Sequence, residues 1–129
     1  MCTFVAAAVI TSGGRVLLIR RTAAEGALLW QFPAGKVLPG ETAEEAAARE
    51  AAEETGVEVT ATHLLGERIH PGTGARVAYV GCALAGGTAR AASPGEVAEV
   101  RWASSQEADE LTAGTIYAPV LQYLREGSG

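Results

Sequence analysis

This sequence is poor in cysteine and in aromatic residues, and it has no excess of positive charge. Only two of its 129 residues are cysteine, and 5% are aromatic. Cys2 and Cys82 are too few for a disulfide-built scaffold, and we expect both to be reduced thiols in a cytoplasmic protein. Lys and Arg total 10 against 15 Asp and Glu, for a net charge of −5. Nucleic-acid-binding domains are usually basic, so this balance argues against that class.

Long apolar stretches are also absent. No run of residues approaches the length of a membrane span, and no basic segment follows Met1 as in a signal peptide. We therefore expect no membrane association. The length predicts one globular domain over residues 1–129, and both a monomer and a homodimer stay open. An acidic protein that acts on anionic substrates usually needs a cation between the two.

One segment predicts a helix with defined ends. Thr42 and Glu45 match a capping box, and the alanine-rich residues that follow favour a helix. Gly56 is suited to end this helix in a left-handed conformation. The sequence therefore predicts a helix over Thr42–Thr55.

Apolar runs separated by turn residues predict the rest of the chain. A β-hairpin is expected at Thr11–Gly14 between the first two strands, and a late helix is expected near the end of the chain. The expected strands are Phe4–Ile10, Arg15–Ile19, Trp30–Phe32, Val57–His70, Arg76–Leu84 and Val97–Ala103; the expected loops are 22–29, 34–40 and 89–95; the expected helical segments besides the first are 104–111 and 116–125. This order predicts an α/β fold, a mixed sheet with helices on both faces.

Three carboxylates share one face of the predicted helix. Glu50 precedes Glu53 by three residues and Glu54 by four, which are the spacings of neighbours on a helix surface. Like charges in the C-terminal half of a helix are unfavourable. The cluster is either a solvated acidic face with Arg49 as its counter-ion or an oxygen-ligand site for Mg²⁺ or Mn²⁺.

The flanking residues favour the metal site. The segment follows a fixed spacing: Gly35, five residues, Glu41, seven residues, and then Arg49-Glu50-Ala51-Ala52-Glu53-Glu54-Thr55-Gly56-Val57. This pattern resembles the signature of the Nudix hydrolase family, with Ala51 where a larger aliphatic residue is usual. The preceding segment, Trp30–Lys36, is similar to that of MutT-like members.

The resemblance implies an α/β/α sandwich around a mixed sheet and a Mg²⁺-dependent hydrolase of a nucleoside diphosphate linked to another group. It implies that Glu50, Glu53, Glu54 and the carbonyl of Gly35 hold the metal, which is Mg²⁺ or Mn²⁺. Arg49 is expected to pair with Glu41 or Glu53 and so to orient the acids.

Matching positions also suggest which acids take part in the reaction. Glu53 is our first candidate for the general base. A further acid outside the signature is expected at Glu96, with Glu99 as the competing residue. Both also fit a plain surface charge.

Substrate-binding residues are less constrained by the sequence. Phe32 could stack on a base or belong to the core, and Arg20, Arg21 and Lys36 could reach phosphates or remain solvated. Tyr117 stands where relatives that select oxidised guanine carry Asn, which argues against that selectivity.

The MutT-like resemblance predicts a small nucleotide as the partner: a nucleoside triphosphate, oxidised or not, cleaved to a monophosphate and pyrophosphate. One alternative substrate is ADP-ribose or a nucleotide sugar; Pro71 favours it, although this residue also fits a plain hairpin turn. The other alternative is a non-catalytic nucleotide-binding domain. His63 and His70 are expected to be ordinary strand residues.

Overall fold

Seven strands and three helices make up the part of the chain described by the computed structural model, residues 3–25 and 28–127. The strands are β1 (Phe4–Ser12), β2 (Arg15–Glu25), β3 (Leu28–Gln31), β4 (Ala34–Lys36), β5 (Glu58–Ile69), β6 (Arg76–Gly86) and β7 (Val97–Ala103). The helices are α1 (Ala43–Thr55), α2 (Ser105–Leu111) and α3 (Ala118–Gly127). No helix among these residues is long and apolar enough to cross a membrane.

The strands form one mixed sheet in the order β3-β2-β1-β6-β5, with β4 paired to β1 and β7 paired to β2. β1 and β6 are parallel, and every other pair is antiparallel. The predicted mixed α/β sheet is therefore confirmed.

Each face of the sheet carries its own hydrophobic core, because successive strand residues point to opposite faces. On one face Ala6, Ala8 and Ile10 of β1 pack with the alanines of α1. On the other face Ala7 and Val9 pack in the cluster that contains residues of α2 and α3. Helices thus cover both faces, as the predicted sandwich requires.

The sheet splits next to the β1–β2 hairpin. The predicted turn at Thr11–Gly14 forms, but β1 and β2 pair only at its base, where Thr11 meets Val16 and Ser12 meets Arg15. Beyond that point β1 pairs with β4, whereas β2 pairs with β3 and β7. This divergence leaves room between the strands, and the pocket described below lies there.

Several predicted boundaries were wrong because strand pairing overrode local composition. The expected loop 22–29 is largely strand, since β2 runs on to Glu25 and β3 begins at Leu28; positions 26 and 27 lie outside the described residues. The expected loop 34–40 begins with β4, which pairs with β1. The strand expected at Trp30–Phe32 ends at Gln31, and the last helix begins at Ala118 rather than at Ile116.

The helix ends agree closely with the sequence prediction. Thr42 and Glu45 form both bonds of a capping box, with the backbone N–H of Glu45 donating to Thr42 Oγ1 over 3.1 Å. Gly56 ends α1 with φ of 73°, in the left-handed region. Cys82 is a buried free thiol whose pKa burial raises to about 11, and Cys2 lies outside the described residues.

Candidate active site

Arg49 is the centre of a charge network between α1 and the segment before it. Its Nε donates to Glu41 Oε2 over 2.8 Å and its Nη2 donates to Glu41 Oε1 over 3.0 Å, a bidentate pair. Nη2 also donates to the carbonyl of Lys36, while Nη1 donates to Glu50 over 2.6 Å and to Glu53 over 3.3 Å. Both partners expected for Arg49, Glu41 and Glu53, are therefore in contact with it. The hydrogen bonds from Arg49 lower the pKa of Glu41 to about 2.

Glu54 is a buried carboxylate with incomplete hydrogen bonding. Its side chain is 2% exposed, and the backbone N–H of Ala34 donates to Oε1 over 3.0 Å. Oε2 has no hydrogen-bond donor in the described part of the chain, and Nη2 of Arg21 lies 3.9 Å away. Burial raises the pKa of Glu54 to about 7, and the charges of Glu50 and Glu96 add to this effect.

Glu50 lies between Arg49 and the segment before the helix. Burial raises the pKa of Glu50 above its usual value, and the charges of Glu53 and Glu96 act in the same direction. A Cβ placed on Gly35 would overlap the carboxyl group of Glu50, so any larger residue here would force that group to shift. Gly35 and the carboxyl group of Glu50 therefore lie next to each other.

Glu53 is the most accessible of the three helix carboxylates, with 55% of its side chain exposed. Within residues 3–25 and 28–127, no three acidic, His or Cys side chains converge closely enough to hold an ion. Arg49 holds Glu50 and Glu53, while Ala34 holds Glu54, so ion binding requires these carboxylates to turn toward one another.

The donor set nevertheless fits a hard divalent cation. All candidate ligands are oxygens, and no described residue donates a hydrogen bond to the buried Oε2 of Glu54. The raised pKa values of Glu50 and Glu54 reflect carboxylates that a nearby positive charge would stabilise.

Glu96 and Glu99 have different surroundings. The charge of Glu96, the residue just before β7, contributes to the raised pKa of both Glu50 and Glu54. Glu99 instead accepts a hydrogen bond from Arg20 Nε over 3.0 Å. Of the two acids, Glu96 is therefore the one whose charge acts on the cluster.

A cavity of about 290 Å³ opens in the split of the sheet beside the acids. Of the predicted substrate-binding residues, Phe32, Arg21 and Lys36 line it, and so does Gly35. Phe32 also belongs to the core, where its ring meets that of Tyr79 edge-on at 6.3 Å, so its expected core position is confirmed and its stacking on a base stays a prediction.

Two predicted substrate-binding residues lie elsewhere. Arg20 is paired with Glu99, and it is not among the cavity-lining residues. Tyr117 also does not line the cavity; its ring packs against Tyr79 with the ring centres 5.4 Å apart. The helix-forming pattern around Tyr117 could not show this, because its partner comes from β6.

Sequence reasoning missed part of the cavity wall. Gln31, Arg68, His70 and Tyr79 all line it. His70, expected to be an ordinary strand residue, follows the end of β5 and borders the cavity. No motif marks these residues, because pairing between separate strands brings them together: β5 with β6 for Arg68 and Tyr79, and β2 with β3 for Gln31.

Comparison with known proteins identifies this arrangement. The sequence profile of the NUDIX domain matches residues 3–124. The chain belongs to the Nudix family. It is 35% identical over 125 residues to a MutT-like protein of Streptomyces ambofaciens, a match that covers 97% of this chain and 77% of that protein. As a Nudix hydrolase, it acts on phosphoric anhydride bonds.

Solved structures agree with the Nudix fold. A MutT Nudix hydrolase from Burkholderia pseudomallei superposes with a TM-score of 0.72 at 27% identity, covering 95% of this chain and 97% of that one. A UDP-X diphosphatase superposes with a TM-score of 0.74 at 20% identity. The match covers 100% of this chain and 65% of the diphosphatase, so this chain spans just under two thirds of the length of that protein. Nudix hydrolases act on small nucleotide substrates and generally use divalent metal ions.

Proposed function

We propose that this Nudix hydrolase cleaves a nucleoside triphosphate to a monophosphate and pyrophosphate with Mg²⁺, as MutT-like enzymes do, and that it acts in the cytoplasm. One observation carries the proposal: Glu50 and Glu54 are carboxylates with raised pKa values beside a cavity of about 290 Å³, and the charge of Glu96 contributes to both shifts. Such a cluster is costly in a protein that binds no cation.

We propose Glu50, Glu53, Glu54 and the carbonyl of Gly35 as the groups that would hold Mg²⁺, with Mn²⁺ as a possible substitute. When bound, the ion would neutralise phosphate charge and lower the pKa of a coordinated water. Glu96 would join these acids at the edge of the site.

The remaining roles fall to groups around the ligands. Glu53 is our candidate general base, because it is the most exposed of the three acids and can accept a proton from water. Arg49 is a positioning residue that holds Glu50 and Glu53 in place through its bidentate pair with Glu41. Arg21 and Lys36 line the cavity and are suited to contact the phosphate chain.

A nucleotide sugar or ADP-ribose is the second candidate substrate. The turn that begins at Pro71 borders the cavity, since His70 and Thr73 line it, and a UDP-X diphosphatase shares the fold. A longer substrate could therefore reach this turn. The third candidate, a non-catalytic nucleotide-binding domain, is less favoured because all three helix acids are present.

The test is a turnover screen with Mg²⁺ over nucleoside triphosphates, ADP-ribose and nucleotide sugars, with products identified by mass. We expect triphosphates to give monophosphate and pyrophosphate. Cleavage of ADP-ribose or nucleotide sugars alone would favour the second candidate. Nucleotide binding without turnover of any compound would favour the third.

Two variants of α1 test the catalytic assignment. Glu53→Gln should lower kcat by roughly a hundredfold or more, because it removes the general base. The matched control is Glu44→Gln in the first turn of the same helix, where Glu44 is exposed and distant from the cluster. Equal activity of the two variants would refute the role of Glu53.

A further inference from the structure

The end of β5 and the turn after it supply a polar wall to the cavity. Arg68 and His70 are two residues apart and both line it, together with Tyr79 of the neighbouring strand β6. None of these residues belongs to the acidic cluster. Their hydrogen bonds show which of their polar atoms remain for a ligand.

Arg68 is held rigidly by two aromatic residues and one carbonyl. Its guanidinium carbon lies 5.6 Å from the ring centre of Tyr79 and 5.4 Å from that of Tyr117. Nε donates to the Tyr79 hydroxyl over 3.1 Å, and Nη2 donates to the carbonyl of Thr115 over 2.6 Å. Both N–H groups of Nη1 find no acceptor in the described part of the protein, so a fixed donor pair remains for a ligand.

His70 also presents a donor. Its Nδ1 accepts from the backbone N–H of Gly72 over 3.0 Å and from that of Thr73 over 3.3 Å. These bonds require Nδ1 to be unprotonated, so the neutral ring carries its proton on Nε2. Burial, and then the charge of Arg68, lower the pKa of His70, which keeps the ring in this neutral form near pH 7.

Tyr79 completes the donor set. Its oxygen accepts from Arg68, and its own O–H has no acceptor among the described residues. No Asp or Glu is found among the described residues that line the cavity. The aromatic and aliphatic side chains of Trp30, Phe32 and Val77 form much of the remaining wall. A flat, apolar ligand with acceptor atoms on one edge suits this wall better than a strongly hydrated phosphate does.

We infer that Arg68, His70 and Tyr79 select nucleobases with a carbonyl group at the position where adenine and cytosine carry an amino group. This inference rests on the proposed nucleotide substrate. Guanine offers O6 and N7 as neighbouring acceptors, and thymine offers O4, whereas the amino groups of adenine and cytosine are donors. A donor facing the donors of this wall loses a hydrogen bond and leaves buried polar groups unpaired.

Two pairs of nucleotides that differ mainly at this position give the test. Inosine and adenosine triphosphates form one pair, and uridine and cytidine triphosphates form the other. We expect kcat/KM to be roughly ten- to hundredfold higher for the carbonyl member of each pair. Equal values within both pairs, with turnover intact, would overturn the inference and leave the proposed function standing.

Two variants test whether His70 and Arg68 cause this preference for carbonyl-bearing bases. His70→Asn keeps a short acceptor for the N–H groups of Gly72 and Thr73 but removes the Nε2 donor. Arg68→Gln removes the guanidinium group and with it the two N–H donors of Nη1. Each variant should reduce the carbonyl preference several-fold, mainly through KM. The matched control, Arg76→Gln, removes an exposed arginine of β6 that pairs with Glu67 outside the cavity. An unchanged preference in both His70→Asn and Arg68→Gln would also overturn the inference.

A failure of the proposed function can be distinguished from a failure of this inference. If no triphosphate is hydrolysed, the dissociation constants of the same four nucleotides, measured by calorimetry without metal, decide the inference. Tighter binding of both carbonyl members supports it, and equal binding refutes it. Thermal unfolding of each variant shows whether it is folded, and the comparison of wild-type substrates requires no variant.

Discussion

Glu54→Gln provides the sharpest test of the electrostatics of the acidic cluster. The Glu54 side chain is 2% exposed, and glutamine keeps its shape and its acceptor for the N–H of Ala34. The substitution therefore removes a buried negative charge while it leaves packing and one hydrogen bond in place. We expect it to stabilise the metal-free protein at alkaline pH and to abolish most of the activity.

The magnitude follows from the pKa of Glu54, which burial raises from 4.5 to about 7. Between these values the unfolded chain binds fewer protons than the folded chain, so the free energy of unfolding falls as the pH rises. This pKa shift corresponds to a loss of roughly 3 kcal/mol in the free energy of unfolding over this pH interval. Below the interval Glu54 is protonated in both states, and the variant should then be about as stable as the wild type.

Urea denaturation in EDTA from about pH 4 to pH 8 measures this difference. The gap between Glu54→Gln and wild type should be near zero at the acidic end and reach roughly 3 kcal/mol at the alkaline end. Glu44→Gln, which changes an exposed acid of the same helix, should leave the pH dependence unchanged. Parallel curves for Glu54→Gln and wild type would show that Glu54 does not titrate in this interval.

Three further substitutions test individual contacts. Gly35→Ala places a methyl group against the carboxyl of Glu50; it should lower Mg²⁺ affinity roughly tenfold or more in a metal titration, with a nearly unchanged melting temperature, and normal affinity would contradict this. Gly56→Ala forces alanine into the left-handed region, with φ of 73°, and should cost about 1–2 kcal/mol in urea denaturation; no loss would mean that the helix end rearranges. Thr42→Ala removes the acceptor for the N–H of Glu45 and should cost about 1 kcal/mol by the same assay, whereas an unaltered stability would show that water replaces the cap.

Features that depend on neighbours in the sequence could be predicted well. The capping box at Thr42, the helix end at Gly56 and the shared face of Glu50, Glu53 and Glu54 follow from interactions over three or four residues. The mixed sheet with helices on both faces also followed from the order of apolar segments. Strand limits were less certain, since the short strand β4 exists through its pairing with β1 and has no strong pattern of its own.

The surroundings of the site depended on residues that are distant in the sequence. Arg20 and Glu99, 79 positions apart, form an ion pair, and Arg20 is not among the described residues that line the cavity. Local patterns do not specify such a pairing, because it results from the register between β2 and β7.

The sequence by itself determined the family signature, the helix that carries the acids and the class of chemistry, because these depend on spacing along one helix and the loop before it. Only the tertiary structure decided the burial of Glu54 and the composition of the cavity wall. Arg68 lies 11 positions from Tyr79 and 47 from Thr115, yet it bonds to both. The donors available to a substrate are those that remain after such long-range bonds have formed, and they become visible only once the sheet is assembled.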